Sequence, residues 1–97
     1  MKYGMKGTFY ARKGKGNELI ATLKKMNDLM KTSGGCEIFE IELQMDNNDI
    51  IHVYELWTSQ ECHAKALKVP GVNELVGKSI PLIKGDIGGV DLKFFNA

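Results

Sequence analysis

The chain has 97 residues, of which 43% are hydrophobic and 26% charged, and its formal net charge is +1. This length and composition fit one globular domain, which we place at residues 1–97, and exclude a disordered segment. The nearly balanced charge gives no case for a nucleic-acid partner, and no stretch approaches the roughly 18 apolar residues of a membrane span. The two cysteines form no C-x-x-C pair, so we expect a reduced, cytoplasmic protein.

The first half of the chain predicts a strand, a helix and a second strand. Apolar and polar residues alternate over 4–12, which indicates a strand. Apolar residues then recur at helical spacing over 19–30, with Asn17 as the expected N-cap and the glycines of 33–35 as the stop. Alternation returns over 36–45, which predicts the second strand.

The turn signal "DNND" leads into a third strand at 50–57, so strands two and three are expected to form a hairpin. Because successive side chains of a strand point to opposite faces, this strand divides into two sets. One face carries Ile51, Val53, Glu55 and Trp57, and the other carries Ile50, His52, Tyr54 and Leu56.

A broken helix and a fourth strand complete the second half. Thr58 and Glu61 fit the capping-box spacing, which predicts a helix from there to about Lys68. Pro70 suits the first turn of a second helical segment that ends near Pro81. The stretch "GDIGGVDLKFF" then predicts the last strand, with Val90, Leu92 and Phe94 on one face.

The order β-α-β-β-α-β predicts an α+β protein of the ferredoxin-like, split βαβ type, with an antiparallel sheet and both helices on one face. The opposite sheet face also carries apolar residues, which the helices cannot cover. We therefore expect a homodimer that packs through this face, since twofold dimers are the commonest oligomers.

The stretch "YELWTSQECHAKALKVPGVNELVGKSIPLI" (54–83) resembles the second half of an antibiotic biosynthesis monooxygenase domain. The residues that match the family pattern are Glu55, Trp57, Ser59, Glu61, His63, Pro70 and Pro81. The resemblance implies a dimeric α+β barrel with a cavity between sheet and helices in each subunit. It also implies a monooxygenase that oxidises a small aromatic or quinol-like substrate with O2, without flavin, metal or haem.

Two family positions that often hold histidine are Ala66 and Gly71 here, which favours an alternative, a dimeric barrel that binds a ligand without catalysis. Turnover of a small signalling molecule is a further alternative within the family. Haem degradation is disfavoured, since strand one has no asparagine and helix two no tryptophan. An RNA-binding module of the same fold is disfavoured by the lack of an aromatic RNA-binding motif in a central strand.

The candidate site residues are His63, Trp57, Tyr54 and Tyr10. Neutral imidazole can accept a phenolic proton near neutral pH, so His63 is the candidate catalytic residue, with an exposed helix histidine as the alternative. Trp57 is expected to stack on a flat substrate or simply to pack in the core. The two tyrosines are candidates for binding a substrate oxygen, or else interface aromatics. No spacing of ligand residues predicts a metal site.

Overall fold

The computed structural model describes residues 1–85 and 88–93. Its elements are β1 (Tyr3–Tyr10), α1 (Gly16–Lys31), β2 (Cys36–Leu43), β3 (Ile50–Trp57), α2 (Gln60–Ala66), α3 (Val72–Ser79), a 3₁₀ turn (Ile80–Leu82) and β4 (Gly88–Lys93). This order confirms the predicted β-α-β-β-α-β arrangement with a broken second helix. The remainder of the predicted last strand, including Phe94, lies outside the described residues. Across the described ranges, no helix is both long and apolar enough to cross a membrane.

The four strands form one sheet in the order β2-β3-β1-β4. Each neighbouring pair is antiparallel, so β1 and β2 run parallel to each other with β3 between them. The predicted hairpin of strands two and three is thereby confirmed. Strand three is therefore one of the two inner strands of a ferredoxin-like α+β fold, and its side chains reach both faces of the sheet.

The core lies between one face of the sheet, here called the helix face, and the helices. It consists of two clusters of buried side chains, listed as Ala11, Leu19, Leu23, Ile51, Val53 and Ile83 in the first and Met30, Trp57, Ala66 and Val72 in the second. The second cluster joins the end of β3 to all three helices. The opposite face of the sheet, here called the open face, has no helix packed on it within the described ranges.

The start of α1 is capped from a distant part of the chain. The predicted N-cap, Asn17, lies inside the helix, and this prediction was wrong. The carboxylate of Asp49 instead accepts hydrogen bonds of 3.0 Å from the backbone N–H groups of Gly14 and Gly16. A side chain at Gly16 would collide with the backbone carbonyl of Asn48, so glycine is required for this close approach.

The cap of α2 lies one residue later than the capping-box pattern indicates. Ser59 has extended backbone angles, and its hydroxyl accepts from the N–H of Cys62 at 3.1 Å. Thr58, the predicted cap, bonds to a different part of the chain. Its N–H and its hydroxyl both donate to the carbonyl of Gly35, at 2.8 Å and 3.2 Å. The prediction that Thr58 and Glu61 cap this helix was therefore wrong.

Replacement of Ser59 by alanine is expected to lower the free energy of unfolding by about 0.5–2 kcal/mol, because one N–H of the first turn loses its acceptor. Ser59→Asn keeps an acceptor at the cap and is the matched control, which should retain most of the stability. Urea denaturation of both variants and of Thr58→Ala measures the effect. A larger loss in Thr58→Ala than in Ser59→Ala would contradict the assignment of the cap.

Candidate functional site

The end of β3 carries a polar group into the core. Glu55 and Trp57 point to the helix face, as the alternation predicts. The indole ring of Trp57 is fully buried and packs where the strand meets the helices, so the expectation of core packing is confirmed. Only 4% of Glu55 is exposed, and burying a carboxyl group is costly unless it has partners.

Two ring nitrogens face the same oxygen of Glu55. The indole Nε1–H of Trp57 donates to Glu55 Oε1 at 2.9 Å. The imidazole Nε2 of His63 lies 3.6 Å from that oxygen. Sequence reasoning noted Glu55 in the family motif and on the correct face, but did not name it as a site residue. A carboxyl group on the predicted core face of a strand was the signal that pointed to it.

His63 lies in α2, directly over the end of β3. Its side chain is 12% exposed, so the alternative of an exposed helix histidine was wrong. The imidazole centroid lies 5.5 Å from that of Trp57 in an edge-on arrangement, and 5.2 Å from the ring of Tyr3. The structure therefore brings together the two main candidates, His63 and Trp57, and adds a tyrosine that the sequence analysis missed.

The tyrosine has its own carboxylate partner on the edge strand. The hydroxyl of Tyr3 donates to Asp91 Oδ1 at 2.6 Å, which joins the start of β1 to β4. In the register of the sheet, Tyr3 lies opposite Trp57, while Met5 lies between Asp91 and Glu55. We refer to Tyr3, Glu55, Trp57, His63 and Asp91 as the Glu55 cluster. Its members come from three strands and one helix.

Burial shifts the protonation of this cluster. It raises the pKa of Glu55 to about 7, against the opposing effect of the indole hydrogen bond. It lowers the pKa of His63, against the opposing charge of Asp91. It also raises the pKa of Tyr3 to about 12, with the hydrogen bond to Asp91 acting in the same direction. At neutral pH the imidazole of His63 is thus neutral and the phenol of Tyr3 is protonated. Glu55 is then present in both its protonated and its ionised form.

The stability of the protein is expected to depend on pH through Glu55. Its pKa is 4.5 in the ordinary case and about 7 in the folded chain, so folding favours the protonated form. The resulting stabilisation is complete below pH 4.5 and is lost as the pH rises to 7, by about 3 kcal/mol in total. His63 acts in the opposite direction, because its lowered pKa removes stability as the pH falls below its ordinary value of 6.5.

Urea denaturation of the wild type and of Glu55→Gln at about pH 5 and pH 8 separates the two contributions, because His63 is present in both proteins. The wild type should lose about 2–3 kcal/mol more than the variant between these pH values, since part of the loss already lies below pH 5. Equal losses in the two proteins would contradict the raised pKa of Glu55.

The other two candidates lie on the opposite side of the sheet. Tyr54 lies between Lys6 and Glu40 in the strand register, and strand alternation places it on the open face. Tyr10 is 51% exposed and lines a shallow groove of about 320 Å³ with Lys6 and Val90. The structure does not bring Tyr54 or Tyr10 to the Glu55 cluster.

Of the two positions that often hold histidine in the resembled family, Ala66 lies beside this cluster. Ala66 is fully buried and packs against Trp57. Gly71 is the N-cap of α3, with a φ of 96° that favours glycine. Within residues 1–85 and 88–93, no group of three or more histidine, cysteine, aspartate or glutamate side chains is arranged to hold a metal ion.

The fold and the site together define a ferredoxin-like α+β protein with a cluster of titratable and aromatic side chains between its sheet and its helices. The sequence pattern of the antibiotic biosynthesis monooxygenase family matches residues 3–77. The chain belongs to this family. No protein of curated function matches its sequence.

Solved structures share the fold over the full length of the chain. A candidate antibiotic biosynthesis monooxygenase from Chloroflexus aurantiacus J-10-fl is 24% identical, with a TM-score of 0.87 over 100% of this chain and 96% of that one. A second candidate, from Nitrosomonas europaea, is 12% identical, with a TM-score of 0.88 over 97% and 99%. SnoaB, a cofactor-independent oxygenase from Streptomyces nogalater, is 12% identical, with a TM-score of 0.85 over 99% and 95%. At these identities the likeness concerns the fold.

Proposed function

We propose that the protein is a cofactor-independent monooxygenase that oxidises a small aromatic or quinol-like substrate with O2. Membership of the family and the likeness to SnoaB support this proposal. The observation that carries it is the position of His63, a neutral imidazole held against the buried ring of Trp57 and beside a buried carboxyl group. A neutral imidazole next to an aromatic wall suits the removal of a proton from a flat phenol.

In this mechanism the protein prepares the substrate, and the substrate itself reacts with oxygen. His63 removes the phenolic proton, and the resulting anion transfers one electron to O2. The substrate radical and superoxide then recombine, which forms the carbon–oxygen bond of a peroxide. The peroxide takes up the proton and then loses water, with the second hydrogen taken from the oxidised carbon, so that one oxygen atom stays in the product. The protein contributes orientation of the ring, a proton acceptor and the exclusion of water, which keeps the radical pair together.

The test is oxygen uptake by chelator-treated protein, supplied with a dihydroxynaphthalene-type quinol and no added flavin, iron or haem. Uptake above the rate of the quinol alone supports the proposal. Uptake that appears only after addition of flavin or iron would contradict the cofactor-independent chemistry. Absence of uptake across a panel of quinols would favour the second candidate function below.

We further propose that two copies of the chain pack through their open faces to form a dimeric barrel. The open face presents apolar surface that the helices do not cover, with Val90 58% exposed and Tyr10 51% exposed. Tyr54 lies in the same cross-strand row as Val90, with Lys6 between them, and Ile50 pairs with Tyr10, so that apolar side chains of this face continue onto β3. An apolar surface of this kind is ordinarily buried against a partner, and a twofold dimer buries it with one contact.

Sedimentation equilibrium at micromolar concentration is expected to show a dimer, and Val90→Glu should shift the protein towards the monomer, because the substitution would bury unpaired charges at the interface. Leu67→Glu is the matched control, since Leu67 is also exposed but lies at the end of α2, away from the open face. A wild type that is monomeric throughout, or equal effects of the two substitutions, would contradict this interface.

The second candidate function is a dimeric barrel that binds a small aromatic ligand without turnover. It is favoured by the alanine and glycine at positions 66 and 71, which leave His63 as the one histidine of the Glu55 cluster. Binding of a naphthol that quenches the fluorescence of Trp57, in a protein that consumes no oxygen, would support this candidate over the first.

A further inference from the structure

Glu55 is the buried titratable group that the proposed mechanism does not yet use. Its Oε1 atom lies between two N–H-bearing rings, at 2.9 Å from the indole nitrogen of Trp57 and 3.6 Å from Nε2 of His63. A carboxylate in the core without sufficient partners is destabilising, and an apolar side chain of similar volume usually gives a more stable core. A carboxyl group that only anchored the indole would be a costly solution, since a neutral amide also accepts an indole hydrogen bond.

The position of this carboxyl group, 3.6 Å from Nε2, favours one of the two neutral tautomers of His63. A carboxylate that faces Nε2 stabilises the tautomer with the proton on Nε2. The other ring nitrogen, Nδ1, is then the one that accepts a proton. The same carboxylate stabilises the imidazole as it gains positive charge, in the way that an acidic partner orients a catalytic histidine.

Resting on the function proposed above, we propose that Glu55 is the proton-receiving partner of His63 and acts on the substrate through it. As the substrate O–H bond breaks, a bond forms between the proton and His63 Nδ1. The proton on Nε2 then passes to Glu55 Oε1, so that one N–H bond breaks and one O–H bond forms. His63 returns to its neutral state, and the negative charge of Glu55 is replaced by that of the substrate phenolate. The number of charges in the site is therefore unchanged by the transfer.

The groups around Glu55 are consistent with this role. Tyr3 of β1 and Cys36 of β2 both have raised pKa values, burial being the first cause and the charge of Glu55 a further one. Asp91 of β4 accepts the hydroxyl of Tyr3, and its charge acts on His63. From α1, the charge of Lys31 acts on Cys36. Near neutral pH, Tyr3 and Cys36 are thus protonated and neutral. Glu55 is the group among these three that gains and loses a proton in this pH range.

The first test is Glu55→Gln, whose amide oxygen still accepts the indole hydrogen bond but takes up no proton. With a dihydroxynaphthalene, we expect kcat to fall about 10²-fold while KM changes little, because binding is preserved and proton transfer is not. The wild-type rate should rise as the pH passes through about 7, where Glu55 ionises, and the variant should lose this rise. Glu61→Gln is the matched control, since Glu61 is exposed on the same helix as His63. A Glu55→Gln protein with wild-type kcat and pH profile would overturn the proposal.

The second test needs no turnover, and therefore separates this inference from the proposed function. The probe is para-nitrophenol, whose ionisation is visible in its absorption spectrum, bound near neutral pH under nitrogen. The wild type and Glu61→Gln should bind it as the phenolate, whereas Glu55→Gln should bind it as the neutral phenol. If Glu55 were only a fixed negative charge, its removal would favour the bound anion, and the variant would show more phenolate. That result would overturn the inference.

The two proposals fail in different ways. Loss of the phenolate signal in Glu55→Gln, in a protein that consumes no oxygen with any quinol, would support the proton-receiving role and contradict the oxygenase. Oxygen uptake by the wild type, with equal phenolate signals in both proteins, would support the oxygenase and overturn the role of Glu55.

Discussion

Replacement of Trp57 by alanine should lower the free energy of unfolding by about 3–5 kcal/mol, a large part of the stability of a domain of this size. The indole ring is fully buried against Met30, Ala66 and Val72, and these side chains come from three different helices. Removal of the ring leaves a cavity that this rigid contact between strand and helices cannot close. The loss therefore combines the transfer energy of the ring with the cost of the cavity.

Chemical denaturation at fixed protein concentration measures this effect, with Met45→Ala as the control. Met45 is fully exposed, so its truncation should change stability by no more than about 0.5 kcal/mol. Trp57→Phe keeps an aromatic ring but removes the N–H donor to Glu55. Because that hydrogen bond lowers the pKa of Glu55, the pKa should rise further in Trp57→Phe. A loss below about 1 kcal/mol in Trp57→Ala would contradict the core role of the ring.

Replacement of His63 by alanine should reduce the rate of oxygen uptake by about 10²-fold or more if the imidazole is the proton acceptor. The side chain is largely buried, so the variant should also lose stability, by about 0.5–3 kcal/mol. Melting temperature and oxygen uptake are therefore measured together, at a temperature where the variant is folded. Added imidazole should restore part of the rate, because a free base can enter the space that the side chain leaves.

The control for this prediction is the other histidine of the chain. His52 lies on the open face, where its ring contacts the hydroxyl of Thr8 at 3.1 Å and the side-chain oxygen of Gln44 at 3.0 Å. His52→Ala should keep the rate per active protein, provided that the assembly state is unchanged. Full activity in His63→Ala, or an equal loss in both variants, would show that the proton acceptor lies elsewhere.

Strand alternation was sufficient to predict which side chains of β3 share a face. A side-chain period of two is a local property of extended backbone, so the sequence placed Glu55 and Trp57 together on the buried face. The stop of α1 near residues 33–35 was predicted for the same reason, since glycines at 34 and 35 adopt positive φ, which other residues avoid. Predictions of this kind depend on backbone geometry within a few residues.

Both helix caps were assigned wrongly because their partners are distant in the chain. At the start of α1, the carboxylate of Asp49 in the β2–β3 turn accepts backbone hydrogen bonds, and Asn17 does not cap the helix. At the start of α2, the hydroxyl of Thr58 donates to the carbonyl of Gly35 and does not cap the helix. A capping box is a pattern of four residues and contains no information about acceptors that folding brings near it. Where two side chains can cap the same helix, tertiary contacts therefore decide which of them does so.

The sequence by itself determined the order of elements, the buried face of β3 and the pairing of Glu55 with Trp57 in one motif. Only the tertiary structure decided that Tyr3 and Asp91 join them, because the β1–β4 register brings together residues 88 positions apart. It also decided that Tyr10 lies on the other side of the sheet from His63, because the register pairs Tyr10 with Ile50. The physical reason is that burial and electrostatic shifts sum over all neighbouring elements. The raised pKa of Glu55 is therefore a property of the packed core and of no short stretch of sequence.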